Sequence, residues 1–390
     1  MAGEGKKLDY IFLFSVLALS AIGLIMVFSA SPTMAMKHGD AYYYLKRHLL
    51  YLVLGLAALY YGLKLDLENI KSKALPIMAV SVLLLLLVFI PGVGRKVLGA
   101  SRWIDLGPLS FQPSELIKFS TVLFMAKWLS EKNFKQAIWC LPILLLILKQ
   151  PDMGTVITIG AAVFAMLFVA GAEVRHLLAL AGLAAASVLF LSLTVAYRMR
   201  RLVAYLDPWK DPQGVGFHII QSLLAVGSGG IFGLGLGASR QKFFYLPQQF
   251  TDFIFAILCE ELGFIGGVGV VILFVLFASR GFRIALSSSD RFKSLLAAGL
   301  VSWITLQAMI NIMVVLGLIP TTGIPLPFIS YGGTATIINL FAVGIVLNVS
   351  RQTHPPIPPL LKREGGEGKT PSNTPSLHKR GGEGAYGRRG

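Results

Sequence analysis

One carboxylate, Asp252, stands in the sequence where general-base chemistry would need it. The stretch PQQFTDFIFAILCEELGFIGG (247–267) begins with polar residues and continues as an apolar helix, for which Thr251 is a suitable N-cap. Asp252 then lies in the first turn, where the helix dipole and the nearby Arg240 and Lys242 favour its charged form and partial burial disfavours it. This balance predicts a carboxylate that is charged yet basic enough to accept a proton. The alternative is that this aspartate serves only as a helix cap.

A second group of chemically useful residues surrounds the start of an earlier helix. Arg102 and Trp103 precede a Gln-Pro dipeptide, after which Glu115 and Lys118 are spaced to share one helix face. A charged pair inside a membrane helix is costly unless both residues face a polar cavity. Asp152 follows another Gln-Pro dipeptide, where it could orient a basic partner or simply cap a helix.

Together these residues predict a cavity for a phosphate-bearing ligand with a sugar. Arginine binds phosphate through its bidentate fork and lysine binds it as a point charge, while Trp and Tyr can contact a sugar ring. The sequence contains no nucleotide-binding loop, no metal-binding His cluster and no nucleophile–His pair. The donor would therefore have to carry its own activation, as a lipid diphosphate does. For two deeper acids, Glu260 and Glu261, we favour a structural role, because acids at bilayer depth need a partner.

Transmembrane helices must position these residues. Of the 390 residues, 55% are hydrophobic and 14% are charged, and the mean hydropathy is +0.71. Many apolar runs reach the ~20 residues that cross a ~30 Å hydrocarbon layer, and in lipid such runs must be helices. We predict an all-α polytopic membrane protein with about ten transmembrane helices. The predicted spans are 9–30, 46–64, 75–91, 113–130, 137–149, 153–171, 176–196, 251–278, 292–317 and 334–350.

The loops predict the orientation of the chain and a structured outer face. Lys and Arg in the termini and in the short connections place both termini in the cytoplasm by the positive-inside rule. A large outer loop (197–250) between the seventh and eighth helices is itself basic, and its glycine-rich stretch (227–237) is too broken to span, so we expect a re-entrant or interfacial segment. The domains are a membrane domain (1–351) and a basic, Pro/Gly-rich cytoplasmic tail (352–390) that we expect to be disordered.

Several long motifs carry a resemblance to a known family. They are MVFSAS (26–31), SRWIDLGPLSFQPSELIK (101–118), QPDMGT (150–155), LDPWKDPQGVGFHIIQSLLAVGSGGIFGLGLG (206–237), SRQKFFYLPQQFTDFIFAILCEELGFIG (239–266) and GIPLPFISYGGT (323–334). From about residue 8 to 351 the chain resembles the SEDS (shape, elongation, division, sporulation) family of bacterial cell-wall proteins. The resemblance is to its cell-division branch, FtsW, and to the sporulation relatives rather than to RodA.

The resemblance implies a peptidoglycan glycosyltransferase that polymerises lipid II on the outer face of the cytoplasmic (inner) membrane and releases undecaprenyl diphosphate. The family's essential acid at the head of this helix matches Asp252, here the expected general base. The family usually has Pro-Glu-x-His-Thr-Asp before the helix, whereas this chain has PQQFTD (247–252), so a role for that Glu or His does not carry over. The expected substrate-binding residues are Arg102, Trp103, Glu115, Lys118, Asp152, Arg201, Arg240, Lys242, Gln249, Ser330 and Tyr331.

The family also implies partners, and other classes of function stay open. A class B penicillin-binding transpeptidase, other division proteins and membrane lipids are the expected partners, with no nucleic acid among them. A divalent cation (Mg²⁺ or Mn²⁺) could assist at the diphosphate, although no site for one is evident in the sequence. A lipid II flippase would need polar residues along both halves of the bilayer. In this sequence the polar residues concentrate in the outer half, which favours the enzyme over the flippase. A division scaffold would need neither Asp252 nor the Glu115–Lys118 pair, so their presence favours the enzyme over the scaffold.

Overall fold

The computed structural model describes residues 8–97, 100–106, 109–242 and 250–352. Gln249 and residues 353–390 of the predicted tail lie outside these ranges. Fourteen α-helices and three short strands are present in the part of the chain that is described. The helices are α1 (Tyr10–Ala30), α2 (Pro32–Ala35), α3 (Tyr43–Lys64), α4 (Leu67–Ser72), α5 (Ala74–Leu87), α6 (Pro113–Ser130), α7 (Cys140–Lys149), α8 (Met153–Val169), α9 (Val174–Thr194), α10 (Ala196–Leu206), α11 (Phe217–Ser228), α12 (Ile254–Ser287), α13 (Arg291–Val315) and α14 (Gly333–Ser350).

Each of the ten predicted spans corresponds to one of these helices, so the predicted all-α polytopic class is confirmed. Five described helices are long and apolar enough to cross a membrane by length and composition: α1, α9, α12, α13 and α14. Helix α6 spans 18 residues but carries Glu115, Lys118 and Lys127, which lower its apolar character. Most of its residues are nevertheless buried among other helices, and this burial explains how the bundle tolerates its charges.

Helices α13 and α14 form the centre of the bundle. In their apolar windows 72% and 89% of the residues are buried, against 6% in α9, which presents nearly all of its surface outward. Helix α14 packs tightly against α3 because both helices carry glycine at the contact. A Cβ on Gly344 would stand 2.2 Å from the carbonyl oxygen of Leu59, and a Cβ on Gly62 would stand 2.8 Å from that of Phe341. Small residues allow such close backbone approach between membrane helices.

The segment before α6 folds into a three-stranded antiparallel sheet that the sequence did not predict. The strands are β1 (Gly94–Val97), β2 (Ala100–Leu106) and β3 (Leu109–Phe111), in the order β1-β2-β3. The sheet is anchored on the start of α14. The backbone N–H of Gln112 donates to Oγ1 of Thr334 (3.1 Å), and that hydroxyl donates to the carbonyl of Ser110 (3.2 Å). The sheet therefore adds a small β element to the all-α body.

A glycine-rich segment packs into a break in α12. Gly263 has φ +68°, which interrupts the helix, and a Cβ there would stand 2.3 Å from the backbone nitrogen of Gly233. Backbone hydrogen bonds cross this contact in both directions: Leu234 N–H donates to the carbonyl of Glu260 (3.0 Å), and Phe264 N–H donates to that of Gly230 (2.8 Å). The irregular backbone of the stretch 227–237 is thus satisfied by another irregular backbone inside the protein.

Contacts between distant residues group the loops at two ends of the bundle. Asp9, at the start of α1, forms an ion pair with Arg280 near the end of α12 (2.7 Å). At the same end, Nδ2 of Asn348 donates to the carbonyl of Gly62 (3.1 Å). The strands, the glycine-rich segment, the α13–α14 loop (316–332) and Asp252 lie at the opposite end.

Candidate functional site

Asp252 lies in a turn just before α12 rather than within the helix. The residue at the N-cap position is Phe253, and no side chain caps this helix. The prediction that Thr251 is the N-cap is therefore wrong, and the alternative that Asp252 serves as a plain cap is not supported. The carbonyl oxygens of residues 250–252 each accept one hydrogen bond from another part of the chain. The donors are the backbone N–H of Tyr331 (2.9 Å, to Phe250), the hydroxyl of Ser330 (2.6 Å, to Thr251) and Nδ2 of Asn311 (2.7 Å, to Asp252).

The carboxylate of Asp252 occupies a crowded, positively charged setting. A Cβ on Gly323 would stand 3.6 Å from its Oδ2, so the α13–α14 loop passes close to the carboxylate at this glycine. Burial raises the pKa of Asp252 to about 6, an effect that the charges of Arg102 and Arg201 oppose and that of Asp152 supports. Such a pKa suits a general base near neutral pH. The sequence had assigned the balancing charge to Arg240 and Lys242, and this assignment is wrong.

Two arginines from different elements act on the carboxylate of Asp252 through their charges. Arg102 is in strand β2 and donates from Nε to the carbonyl of Gln150 (3.1 Å) and from a terminal nitrogen to that of Pro151 (2.5 Å). Arg201 is in α10 and donates to the carbonyl of Thr321 (2.9 Å). Each guanidinium uses only part of its five N–H donors in these bonds. The arrangement holds two fixed positive charges beside Asp252.

Asp152 caps α8 with both carboxylate oxygens. It accepts from the backbone N–H of Thr155 (3.1 Å) and from the hydroxyl of the same residue (2.9 Å). It also influences the pKa of Asp252, so the structure brings these two predicted residues together. Trp103 is half-buried in strand β2, next to Arg102 in sequence and directly opposite Arg95 in the strand register.

Glu115 and Lys118 form an ion pair inside the bundle. Their charged atoms lie 2.8 Å apart, and both side chains are about 3% exposed. Lys118 also donates to Oε1 of Gln307 (2.8 Å), which accepts in addition from the indole N–H of Trp303 (3.1 Å). The amide of Gln307 in turn donates to the carbonyl of Pro325 (3.0 Å). The pair is thereby connected through α13 to the loop that borders Asp252.

Arg240 and Lys242 lie in a turn that binds the two acids of α12. The backbone N–H of Arg240 donates to Glu260 (2.9 Å), and Nζ of Lys242 lies 3.6 Å from Oε1 of Glu261. Glu261 also accepts from the hydroxyl of Ser29 in α1 (2.6 and 2.7 Å). The structural hydrogen-bonding and ion-pairing role predicted for Glu260 and Glu261 is confirmed. The structure does not bring Arg240 or Lys242 to Asp252.

The predicted residues Ser330 and Tyr331 lie in the α13–α14 loop. The Ser330 hydroxyl accepts from the backbone N–H of Leu326 (2.8 Å) as well as donating to Thr251. The ring of Tyr331 packs against Tyr44 and Phe250 at centroid distances of 5.3 and 5.7 Å. Both residues therefore contact the turn that carries Asp252.

Sequence reasoning missed Asn311 and Gln307, which connect this loop to α13. Both are fully buried and lie four residues apart on one face of an otherwise apolar helix. Polar side chains at that spacing in a membrane helix are a signal that could have found them. Among the described residues, no three His, Cys, Asp or Glu side chains come together to hold a metal ion.

The bundle and its charged mouth define a polytopic membrane protein with a candidate active site at one end of the helices. The family model for cell cycle proteins of the FtsW, RodA and SpoVE type matches residues 10–355. The chain belongs to this family, as the sequence motifs predicted.

Similar proteins support the assignment over nearly the whole length. A probable peptidoglycan glycosyltransferase FtsW from Geobacter metallireducens is 45% identical, over 89% of this chain and 96% of its own. Stage V sporulation protein E of Bacillus subtilis is 46% identical, over 88% and 97%. One solved chain comes from a study of the structural coordination of polymerization and crosslinking by a peptidoglycan synthase complex. It has a TM-score of 0.74 and 33% sequence identity, and the match covers 88% of this chain and 98% of that chain. The rod shape determining protein RodA of Thermus thermophilus has a TM-score of 0.67 and 32% identity, over 89% and 98%.

Proposed function

We propose that this chain is a peptidoglycan glycosyltransferase of the FtsW type in which Asp252 is the general base. The names of its curated relatives support the activity and the membership in the division machinery. The observation that carries the role of Asp252 is its setting at one end of the membrane bundle: a buried carboxylate with a pKa of about 6 that interacts with the charges of Arg102 and Arg201. The substrate is lipid II, and the product is a β-1,4-linked glycan strand.

In this mechanism Asp252 accepts the proton from the 4-hydroxyl of the acceptor's N-acetylglucosamine. The oxygen attacks C1 of the donor's N-acetylmuramic acid with inversion. The bond between C1 and the diphosphate oxygen breaks, and its electron pair leaves with undecaprenyl diphosphate. General-base assistance of this kind typically contributes about 10²–10⁴-fold.

Arg102 and Arg201 stabilise the charge that develops on the leaving diphosphate. Their guanidinium groups are fixed by backbone carbonyls, so little reorganisation is needed when the charge appears. Both charges also lower the pKa of Asp252. The two arginines therefore influence the base on the acceptor side of the reaction as well as the leaving group on the donor side. Trp103, Asp152 and the Glu115–Lys118 pair complete the polar surroundings of the site.

The site faces outward from the inner membrane in this proposal, and both termini are cytoplasmic. The end opposite Asp252 carries Asp9 with Arg280, and Glu68 lies near Lys293 there (3.9 Å). The short loops at that end are rich in Lys and Arg, as cytoplasmic loops are. Both native cysteines, Cys140 and Cys259, are buried, so introduced cysteines can report the orientation. A membrane-impermeant maleimide added to spheroplasts should label Asp40→Cys and leave Glu68→Cys unlabelled, and the reverse pattern would contradict the orientation.

A penicillin-binding transpeptidase of class B is the proposed partner. The similar solved chain comes from a complex that coordinates polymerization with crosslinking, which supports a transpeptidase at this position. Helix α12 offers an apolar outward face for it, with Phe264, Ile272 and Val275 more than half exposed. Co-purification with the transpeptidase should be weakened by Ile272→Arg on this face, while unchanged co-purification would argue for another docking surface.

Purified protein, with and without its transpeptidase, tests the function when it is given labelled lipid II and assayed for glycan strands. Wild type should form strands, and Asp252→Asn should lose about 10²–10⁴-fold in rate. Asp40→Asn is the matched control, because Asp40 is half-exposed and its carboxylate contacts only Lys46 and the backbone N–H of Tyr42 at the surface among the described residues. Wild-type rates in Asp252→Asn would overturn the role of the base. A wild type that moves lipid II across vesicles and forms no glycan would instead indicate the transporter.

A further inference from the structure

The turn that carries Asp252 provides no side-chain cap for the helix that follows it, yet its backbone carbonyl groups are all hydrogen-bonded. Three successive carbonyl oxygens, those of residues 250–252, each accept a hydrogen bond from a different donor. Two of the donors, Asn311 and Ser330, are side chains that are 1% and 4% exposed. A loop backbone held this way has few other conformations, because each released carbonyl would be left buried without a partner.

Asn311 joins the turn to the facing loop through a single amide group. Its Nδ2 donates one hydrogen to the carbonyl of Asp252 and the other to the carbonyl of Ile324, both at 2.7 Å. Ile324 follows Gly323, the residue that borders the carboxylate of Asp252. The amide therefore fixes the distance between the backbone of Asp252 and the α13–α14 loop that faces it.

Ser330 makes the corresponding connection one residue earlier in the turn. Its hydroxyl donates to the carbonyl of Thr251 (2.6 Å) and accepts from the backbone N–H of Leu326 (2.8 Å). The donor and one acceptor position of the hydroxyl are used on backbone groups, and the side chain is buried, so it is poorly placed to bind a ligand. These contacts favour a structural role for Ser330 over the substrate-binding role that the sequence predicted.

We propose that Asn311 and Ser330 are positioning residues that hold the backbone of Asp252 for the reaction. This inference rests on the proposed function, in which Asp252 is the base. Both side chains are buried and donate to backbone carbonyls. They act by keeping the carboxylate at a fixed distance from Arg102, Arg201 and the facing loop at Gly323. A displacement of about 1 Å at a reacting group is enough to cost on the order of 10²-fold in rate.

The expected signature of positioning is a loss in kcat without a loss in substrate affinity. Asn311→Leu keeps the size of the side chain and removes both donors, and we expect kcat for lipid II polymerisation to fall about 10²-fold with KM within about twofold. The kcat of Ser330→Ala should also fall, and Ser330→Thr, which keeps a hydroxyl, should recover most of the wild-type kcat. A looser turn also admits water to the carboxylate, so the acid limb of the kcat profile should move to lower pH in Asn311→Leu.

Two matched controls separate positioning from general stability. Asn348 is also buried, and its amide also donates to two backbone carbonyls, those of Gly62 (3.1 Å) and Leu65 (2.6 Å), at the opposite end of the bundle. Asn348→Leu should lower the thermal unfolding temperature as Asn311→Leu does and leave kcat unchanged. Ser222→Ala removes a buried hydroxyl that donates to the carbonyl of Val315 (2.7 Å) and should likewise leave kcat unchanged.

The outcomes of this experiment distinguish the two proposals. If Asp252→Asn is as active as wild type in the same assay, the proposed general-base role of Asp252 fails whatever the other variants do. If Asp252→Asn is inactive and both Asn311→Leu and Ser330→Ala keep the wild-type kcat and acid limb, the positioning inference alone is overturned. If Asn311→Leu does not fold, the comparison of Ser330→Ala with Ser330→Thr decides: equal rates in the two variants overturn the inference, and recovery in the threonine variant supports it.

Discussion

The rate of polymerisation should depend on pH through the ionisation of Asp252. Burial raises its pKa from an ordinary value of 3.8 to about 6. A general base works only in its charged form, so the rate rises as pH increases through this pKa. With a pKa of about 6, about 90% of the molecules carry the charged base at pH 7 and about 10% at pH 5. The rate at pH 5 should therefore be about one-tenth of that at pH 7.

Arg201 provides a perturbation with a known sign. Its positive charge lowers the pKa of Asp252, as does that of Arg102. Arg201→Gln removes one of the two charges, so the acid limb should move to higher pH, whereas Arg201→Lys keeps the charge and should leave the limb near its wild-type position. The plateau rate is expected to fall in Arg201→Gln as well, because the same guanidinium stabilises the diphosphate.

The assay is the initial rate of glycan formation at saturating lipid II between pH 5 and pH 8, with midpoint and plateau fitted separately. Two results would refute the reasoning. A wild-type rate that stays level down to pH 5 would mean that the pKa of Asp252 lies near its ordinary value of 3.8, as in a hydrated surface aspartate. A shift of the Arg201→Gln limb to lower pH would mean that the guanidinium does not favour the charged base.

The remaining predictions concern packing and buried charge. Gly23→Ala should lower both kcat and the unfolding temperature, because the new Cβ would stand 2.4 Å from the carbonyl oxygen of Phe328 in the α13–α14 loop. Gly160→Ala in α8, whose Cβ would meet nothing within 4 Å, should change neither, and equal behaviour of the two variants would contradict the close contact of α1 with the loop. Lys118→Met should cost about 3–5 kcal/mol of stability because it leaves Glu115 charged and buried, and adding Glu115→Gln should recover part of the loss. Thermal unfolding of the purified variants measures this, and a Lys118→Met protein as stable as wild type would contradict the buried pair.

The membrane helices were predictable because lipid leaves the chain few choices. Apolar length and backbone satisfaction define such helices, and the prediction for 113–130 matches α6 (Pro113–Ser130) at both ends. The strands of the outer segment were not predictable in the same way. Strands β1 and β3 have four and three residues, too few to establish an alternating pattern, and the sheet depends on long-range anchoring at Thr334.

The site was predictable in its residue types and less so in its geometry. Asp252, Arg102 and Arg201 were identified from motif and chemistry, and the structure places both arginines where their charges act on the carboxylate. Lys242 is only ten residues from Asp252 in sequence, yet it pairs with Glu261 because the break at Gly263 brings the glycine-rich segment against α12. Sequence distance was therefore a poor guide where both backbones are irregular.

The most direct test of the central claim separates chemistry from binding in Asp252→Asn. The measurement is the single-turnover rate of glycosidic bond formation with the enzyme saturated by lipid II, together with the Kd for lipid II of the same preparation. If Asp252 is the general base, the rate should fall about 10²–10⁴-fold while the Kd stays within about threefold of wild type. A single-turnover rate within a few-fold of wild type would contradict the claim, as would a loss of activity explained entirely by a weaker Kd.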